Sequence, residues 1–378
     1  MNSIKKIIKK IVFFFLERLP LRNIIIFESV PSLSDNPKAV FDEMIARKMN
    51  KKYKFIWLLC KNTDKPPKIK NVKYLSPENT VLLRYYRSVA KCIICGNRLI
   101  CPMSKRQRAF YLSHGTALKL VTSYYNIPDT IEYNLIASPG VADIMVEALG
   151  MNEKTFFALG YPRNDALTKT KADVKKLFNT PCEKVIVWYP TFRQHSSGRR
   201  HTGCENALPI IHDEEKARAL NEAAKKNGVL IVLKPHFVQD VSYVKNLGLE
   251  NIVFIDDGFF TKNSLSSYEF VGACDALISD YSSIYFDFTL SNKPIGLVWE
   301  DIEEYKQNPG LIKDYEFYSK GGVKIYNIDD MIAFVSDVAN GVDTLKVERN
   351  EIKLIANYSD DAKSSERVTD FIIEKTNL

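Results

Sequence analysis

Four short polar clusters carry side chains suited to handling a phosphate. They are His114-Gly115-Thr116, Thr191-Phe192-Arg193, Lys234 with His236, and Asp280-Tyr281-Ser282-Ser283. Each follows or closes a run rich in β-branched and apolar residues: AFYLS (109–113), KVIVWYP (184–190), GVLIVLKPH (228–236) and DALISD (275–280). In open parallel α/β sheets, ligands bind beyond the carboxyl ends of the strands, so polar residues at those ends are where chemistry is expected. Lys234, Arg193 and a protonated His236 offer positive charge. Ser282 and Ser283, placed where a helix opens, offer hydroxyls and unpaired amides to an anion. Singly, each cluster has a plain structural alternative: a packed or surface histidine, or Asp280 or Ser282 capping a helix. Together they point to one phosphate-binding crevice.

The sequence has no G-x-x-x-x-G-K-[ST] and no G-x-G-x-x-G, which argues against a P-loop NTPase and the usual dinucleotide enzyme. No Asp-x-Asp pair of the kind that holds a divalent metal on a sugar nucleotide is found. Metal-free handling of a diphosphate by side chains and helix ends is the expectation, with no cofactor.

The elements that would position these clusters alternate between short strands and longer helices. Further strands are expected at IIIFE (24–28), KFIWLLC (54–60), KCIIC (91–95), NLIAS (134–138), NIVFI (251–255) and PIGLVW (294–299). A helix over SDNPKAVFDEMIARKM is capped by Ser34 or Asp35. This alternation predicts parallel sheets with crossover helices, in two α/β domains spanning 22–175 and 176–378. The polar stretch from Thr168 to Glu183 is the expected joint, and Arg193 to Ala207 a surface loop. Apolar residues make up 46%, enough for a sizeable core. A net charge of +8 is too mild for a dedicated nucleic-acid binder and suits an anionic substrate or membrane surface. Seven cysteines do not pair into a framework. Cys92 and Cys95 read as buried strand thiols, in a reducing, cytoplasmic compartment.

Residues 1–21 form a separate unit. Ile4, Ile7, Ile8, Ile11, Phe15 and Leu19 share one helical face, with Lys5, Lys6, Lys9, Lys10 and Arg18 largely opposite and Pro20 as the stop. The unbroken apolar run, 11–16, is far short of the roughly 20 residues of a membrane span. Two readings stand: an amphipathic helix docked on its own protein, or one lying in an anionic membrane interface through residues 1–19.

Seen together, HGTALK (114–119), GYPRND (160–165), YPTFR (189–193), LKPH (233–236), SDYSSIYFDF (279–288) and NKPI (292–295), with FES…SDNPKA near the start, resemble the CDP-glycerol glycerophosphotransferase family of teichoic acid synthesis. The sequence departs from the family pattern at Ala117, at Gln194, in KPHF and in VPSL before SDNP. The resemblance implies a GT-B fold of two Rossmann-like domains and a peripheral enzyme on the cytoplasmic face of the membrane. It implies CDP-glycerol or CDP-ribitol as donor, and an undecaprenyl-diphosphate-linked saccharide or growing polymer as acceptor. His114 matches the family's histidine base and His236 a second histidine beside the donor diphosphate. Ser282 and Ser283 match serines that touch phosphate. Thr191, Arg193, Lys234 and Asp280 join the expected donor site. Gly115, Thr116, Arg163, Asn164 and Asp165 join the acceptor or cleft side. A length of 378 residues leaves room for little beyond two lobes and the basic helix, which favours a primase over a polymerase. The rivals are a GT-B glycosyltransferase using a nucleotide sugar and a non-enzymatic membrane scaffold.

Overall fold

The computed structural model describes residues 14–16, 18–61, 63, 66–122, 126–191, 208–235 and 241–378. Most of the expected amphipathic helix, Arg193 and His236 lie outside them. Among the described residues no helix is long and apolar enough to cross a membrane.

Two fully parallel sheets form the protein. The first holds β1 (Arg22–Glu28), β2 (Lys54–Leu58), β3 (Val72–Leu75), β4 (Ala90–Cys95), β5 (Arg108–Tyr111), β6 (Tyr133–Ile136) and β7 (Phe156–Ala158), in the order β3-β2-β1-β4-β5-β6-β7. The second holds β8 (Lys184–Trp188), β9 (Val229–Leu233), β10 (Ile252–Phe254), β11 (Ala276–Ser279), β12 (Ile295–Val298) and β13 (Val323–Ile325), in the order β10-β9-β8-β11-β12-β13. Both follow the doubly wound order 3-2-1-4-5-6, extended in the first sheet by β7. The order reverses between β1 and β4, and again between β8 and β11. At such switch points neighbouring connections leave in opposite directions and open a crevice.

The central strands read as near-continuous apolar runs because helices cover both faces of the sheet. Register pairs Ile25 with Cys92 and Phe27 with both Trp57 and Ile94. Phe27 stacks on Trp57 at 5.5 Å, and Phe41 from helix Asp35–Ala46 meets the same indole edge-on at 5.2 Å. Cys92 and Cys95 are buried in β4, where loss of water pushes both thiols up, Cys95 to about 12. In the second lobe, Trp188, Ile231 and Leu233 pack with Leu220 of helix Glu214–Lys226 and Phe334 of helix Ile328–Ala339.

The three strands that sequence patterning misses are β3, β7 and β13. Each is three or four residues long and lies at a sheet edge. The chain also crosses back. Helix Ser364–Thr376, though it follows the second sheet, packs on the first lobe: Phe371 stacks on Phe157 at 4.5 Å and Arg47 pairs with Asp370.

Candidate active site

His114 follows β5, at the carboxyl end of the first sheet. The turn that carries it is tight: Ser113 has φ 55° and Gly115 φ 126°, both in the left-handed region. Such backbone costs roughly 1–3 kcal/mol at a non-glycine residue and persists only where surroundings hold it. Here they do. Asn36, fully buried, donates from Nδ2 to the carbonyls of Leu112 (2.9 Å) and Ser113 (3.1 Å). Its Oδ1 accepts from the Arg163 amide at 3.1 Å. Thr116 Oγ1 lies 3.3 Å from the buried Tyr161 hydroxyl.

The imidazole of His114 is accessible, but within the crevice between the lobes rather than in open solvent. Tyr111 Oη is 3.2 Å from Nδ1. Desolvation, helped by the Arg163 and Lys119 charges, holds its pKa below the usual histidine value. Asp35 and a hydrogen bond to the Gly96 carbonyl oppose this and lose. The ring is therefore largely neutral at pH 7, the form that accepts a proton.

The Asp280-Tyr281-Ser282-Ser283 stretch follows β11 and meets the histidine turn directly. Ser283 Oγ donates to the His114 carbonyl at 3.3 Å. A Cβ on Gly115 would collide with the Ser283 side chain and stand 2.7 Å from Arg163 Nη2. Only a residue without a side chain lets the two lobes come this close. Ser282 is half-buried beside it. Asp280 is fully buried, and its carboxylate accepts from the Thr191 amide at 2.8 Å and from the Thr191 hydroxyl. Asp280 therefore fixes the turn after β8. Lys234, at the end of β9, pairs with Asp257 at 3.0 Å and lies 5.8 Å from the Tyr189 ring.

The GYPRND residues lie under this contact. Arg163 is buried and bridges the lobes, donating from Nη1 to Asp35 and from Nη2 to Asp287, each at 2.7 Å. Asn164 Nδ2 (3.0 Å) and Tyr268 Oη (2.7 Å) also donate to Asp287. Burial disfavours the Arg163 charge, yet Asp287 and Asp35 together hold it protonated well above its ordinary range. Asp165 accepts from the amides of Ser364 (2.9 Å) and Ser365 (2.8 Å), capping the returning helix. These three side chains are thus committed to protein partners. Asn36, Tyr268 and Asp287 are the supporting residues for which sequence reasoning gave no role, and Asp35, expected as a possible helix cap, pairs with Arg163 instead. Asp35, Asn36 and Asp287 sit inside quoted motifs, but their partners are remote in the chain. Among the described residues no three His, Cys, Asp or Glu side chains converge as metal ligands.

Two doubly wound lobes meeting at their switch points, with a histidine turn of one against a serine pair of the other, define a GT-B-like architecture. The solved wall teichoic acid polymerase TagF shares the fold (TM-score 0.73, 21% identity, 94% of this chain and 90% of that chain). So does the S. aureus MnaA–UDP complex (TM-score 0.51, 11% identity, 95% and 97%). Residues 11–374 match the CDP-glycerol:poly(glycerophosphate) glycerophosphotransferase family, and the chain belongs to it. It is similar to a teichoic acid poly(glycerol phosphate) polymerase of Bacillus spizizenii (27% identity; 83% of this chain, 84% of the relative). It is also similar to a teichoic acid glycerol-phosphate transferase of Staphylococcus aureus (26%; 83% and 85%). It spans about half of the Bacillus subtilis polymerase it matches (25%; 99% and 53%).

Proposed function

We propose that the protein transfers glycerol phosphate from CDP-glycerol to a hydroxyl of a lipid-linked saccharide in teichoic acid synthesis, releasing CMP. Family membership and the His114–Ser283 contact across the cleft support this reading, and the contact carries it. The first lobe presents the acceptor and the second lobe binds the nucleotide. Neutral His114 takes the proton of the acceptor hydroxyl. The oxygen attacks the β-phosphorus, a new P–O bond forms, and the bond to the CMP oxygen breaks in line. Charge spreads over the non-bridging oxygens, so positioning and electrostatic stabilisation carry most of the rate. Ser282, Ser283 and Lys234, with Arg193 and His236, hold the diphosphate. Asp280 positions Thr191, and Arg163 positions the histidine turn.

The enzyme works at the cytoplasmic face of the membrane, held there in part by residues 1–19. Whether glycerol or ribitol phosphate is moved, and whether one unit or many are added, is read from the product. Purified protein is incubated with a synthetic lipid-linked disaccharide and CDP-glycerol, CDP-ribitol or a UDP-sugar, and the products are weighed by mass spectrometry. One added glycerol phosphate identifies a primase, a ladder a polymerase, and hexose transfer overturns the reading. His114→Ala should lower CMP release by roughly 10² to 10⁴ while donor binding persists. Unchanged release would remove His114 from the mechanism.

A further inference from the structure

At the opposite end of the first sheet lies a second pocket. Its volume is about 320 Å³, and its lining includes Arg22, Lys52, Lys54, Tyr53, Tyr85 and Tyr86. Topology puts it there: Arg22 opens β1, Lys54 opens β2, and helix Thr80–Val89 brings Tyr85 and Tyr86 back to this end before β4 begins. β1 is seven residues long, so about 20 Å separates this end of the lobe from the cleft end.

Lys54 Nζ and Lys73 Nζ stand 5.3 and 5.7 Å from the Tyr86 ring, Arg22 is 5.8 Å from Tyr85, and Lys52 is 5.0 Å from Tyr53. Among the described residues no carboxylate lies within ion-pairing distance of any of these four cations. Like charges gathered around one cavity repel each other, and a bound anion removes that cost. Forked guanidinium and ammonium donors over aromatic walls suit a phosphate ester in particular.

The source of the phosphate follows from where the chain enters. Residues 1–21 join the fold at Arg22, and Phe14 and Phe15 are 52% and 64% exposed just before it. Whatever holds this segment at a surface brings the pocket to the same surface. The geometry points to a lipid phosphate site: the pocket seats the head-group phosphate of an anionic phospholipid and stands the first lobe upright on the membrane.

This deepens the membrane part of the proposed function, and its readout needs no turnover. Full-length protein is co-sedimented with phosphatidylcholine vesicles, with or without phosphatidylglycerol, at fixed ionic strength. Each basic residue near an anionic surface strengthens binding about fivefold, so the triple variant R22Q/K52Q/K54Q should partition roughly 100-fold less onto anionic vesicles. Binding to pure phosphatidylcholine should not change. Circular dichroism and CMP release on a water-soluble acceptor should match wild type, since none of the three residues touches the cleft. Equal partition of variant and wild type overturns the site, as does an equal loss on both kinds of vesicle. If glycerol 3-phosphate binds wild type and not the variant while vesicle partition is the same for both, the pocket serves a soluble ester and the lipid assignment falls. Absence of CMP release in wild type and variant alike would instead sink the catalytic reading and leave the vesicle result standing.

Discussion

Two ion pairs near the cleft make opposite use of the same chemistry. Arg163 is 7% exposed and Asp287 1%; the pair is buried and completed by Asp35, Asn164 and Tyr268. Lys234 is 21% exposed and its partner Asp257 57%. Buried charges must be matched or the fold suffers, whereas an exposed pair contributes little and exchanges readily with water or a ligand. Arg163 therefore belongs to the architecture that holds the lobes together. Lys234 keeps a weak, exposed partner, which the diphosphate of the proposed donor would displace.

The sharpest way to break this contrast is Arg163→Met. It strands two carboxylates, one of them almost wholly buried, and should cost about 3–5 kcal/mol of unfolding free energy in urea titration. A loss below ~1 kcal/mol would mean that water already reaches the bridge. Gly115→Ala tests the contact above it. Forcing a methyl group against Ser283 should move the histidine turn and lower kcat by about 100-fold, with the first-order effect on chemistry rather than on donor binding. An unaltered kcat would show that the lobes part freely at this point.

A third test separates electrostatics from support. Because the His114 pKa is depressed, the base is lost only as pH falls through a value below 6.5, and the acid limb of kcat/KM should lie there. Asp35 raises that pKa, so Asp35→Asn should move the limb further down. Arg163 lowers it, so any Arg163 variant that folds should move it up. Limbs that stay put would assign the profile to another group. The smallest stability effect is expected for Lys234→Gln, under about 1 kcal/mol, accompanied by a rise in the KM for the CDP-linked donor. A large stability loss with unchanged KM would reverse the roles of the two pairs.

The same division governs what could be read from the sequence. β1, β4, β8 and β9 were legible because strands covered on both faces must be apolar throughout. β3, β7 and β13 were not, since VKYL, FFA and VKI are only three or four residues long and no longer apolar run surrounds them. The histidine turn and the serine pair stood out because each follows a strand directly. The bridge beneath them did not: Arg163 lies 128 residues from Asp35 and 124 from Asp287. No local pattern reports a contact of that span. Asp280 shows the converse, a motif residue whose partner across the switch point, Thr191, is what gives it a purpose.

The returning helix limits how the cleft can open. The polypeptide passes between lobes twice, once near helices Asn164–Lys169 and Val174–Phe178, and again between Ala356 and helix Ser364–Thr376. Asp165 ties the second passage to the first. Two crossings restrain the lobes at neighbouring points, so any opening of the cleft would turn about them rather than slide. The seating of Ser283 on Gly115 would set the limit of such a closure, at the histidine turn itself.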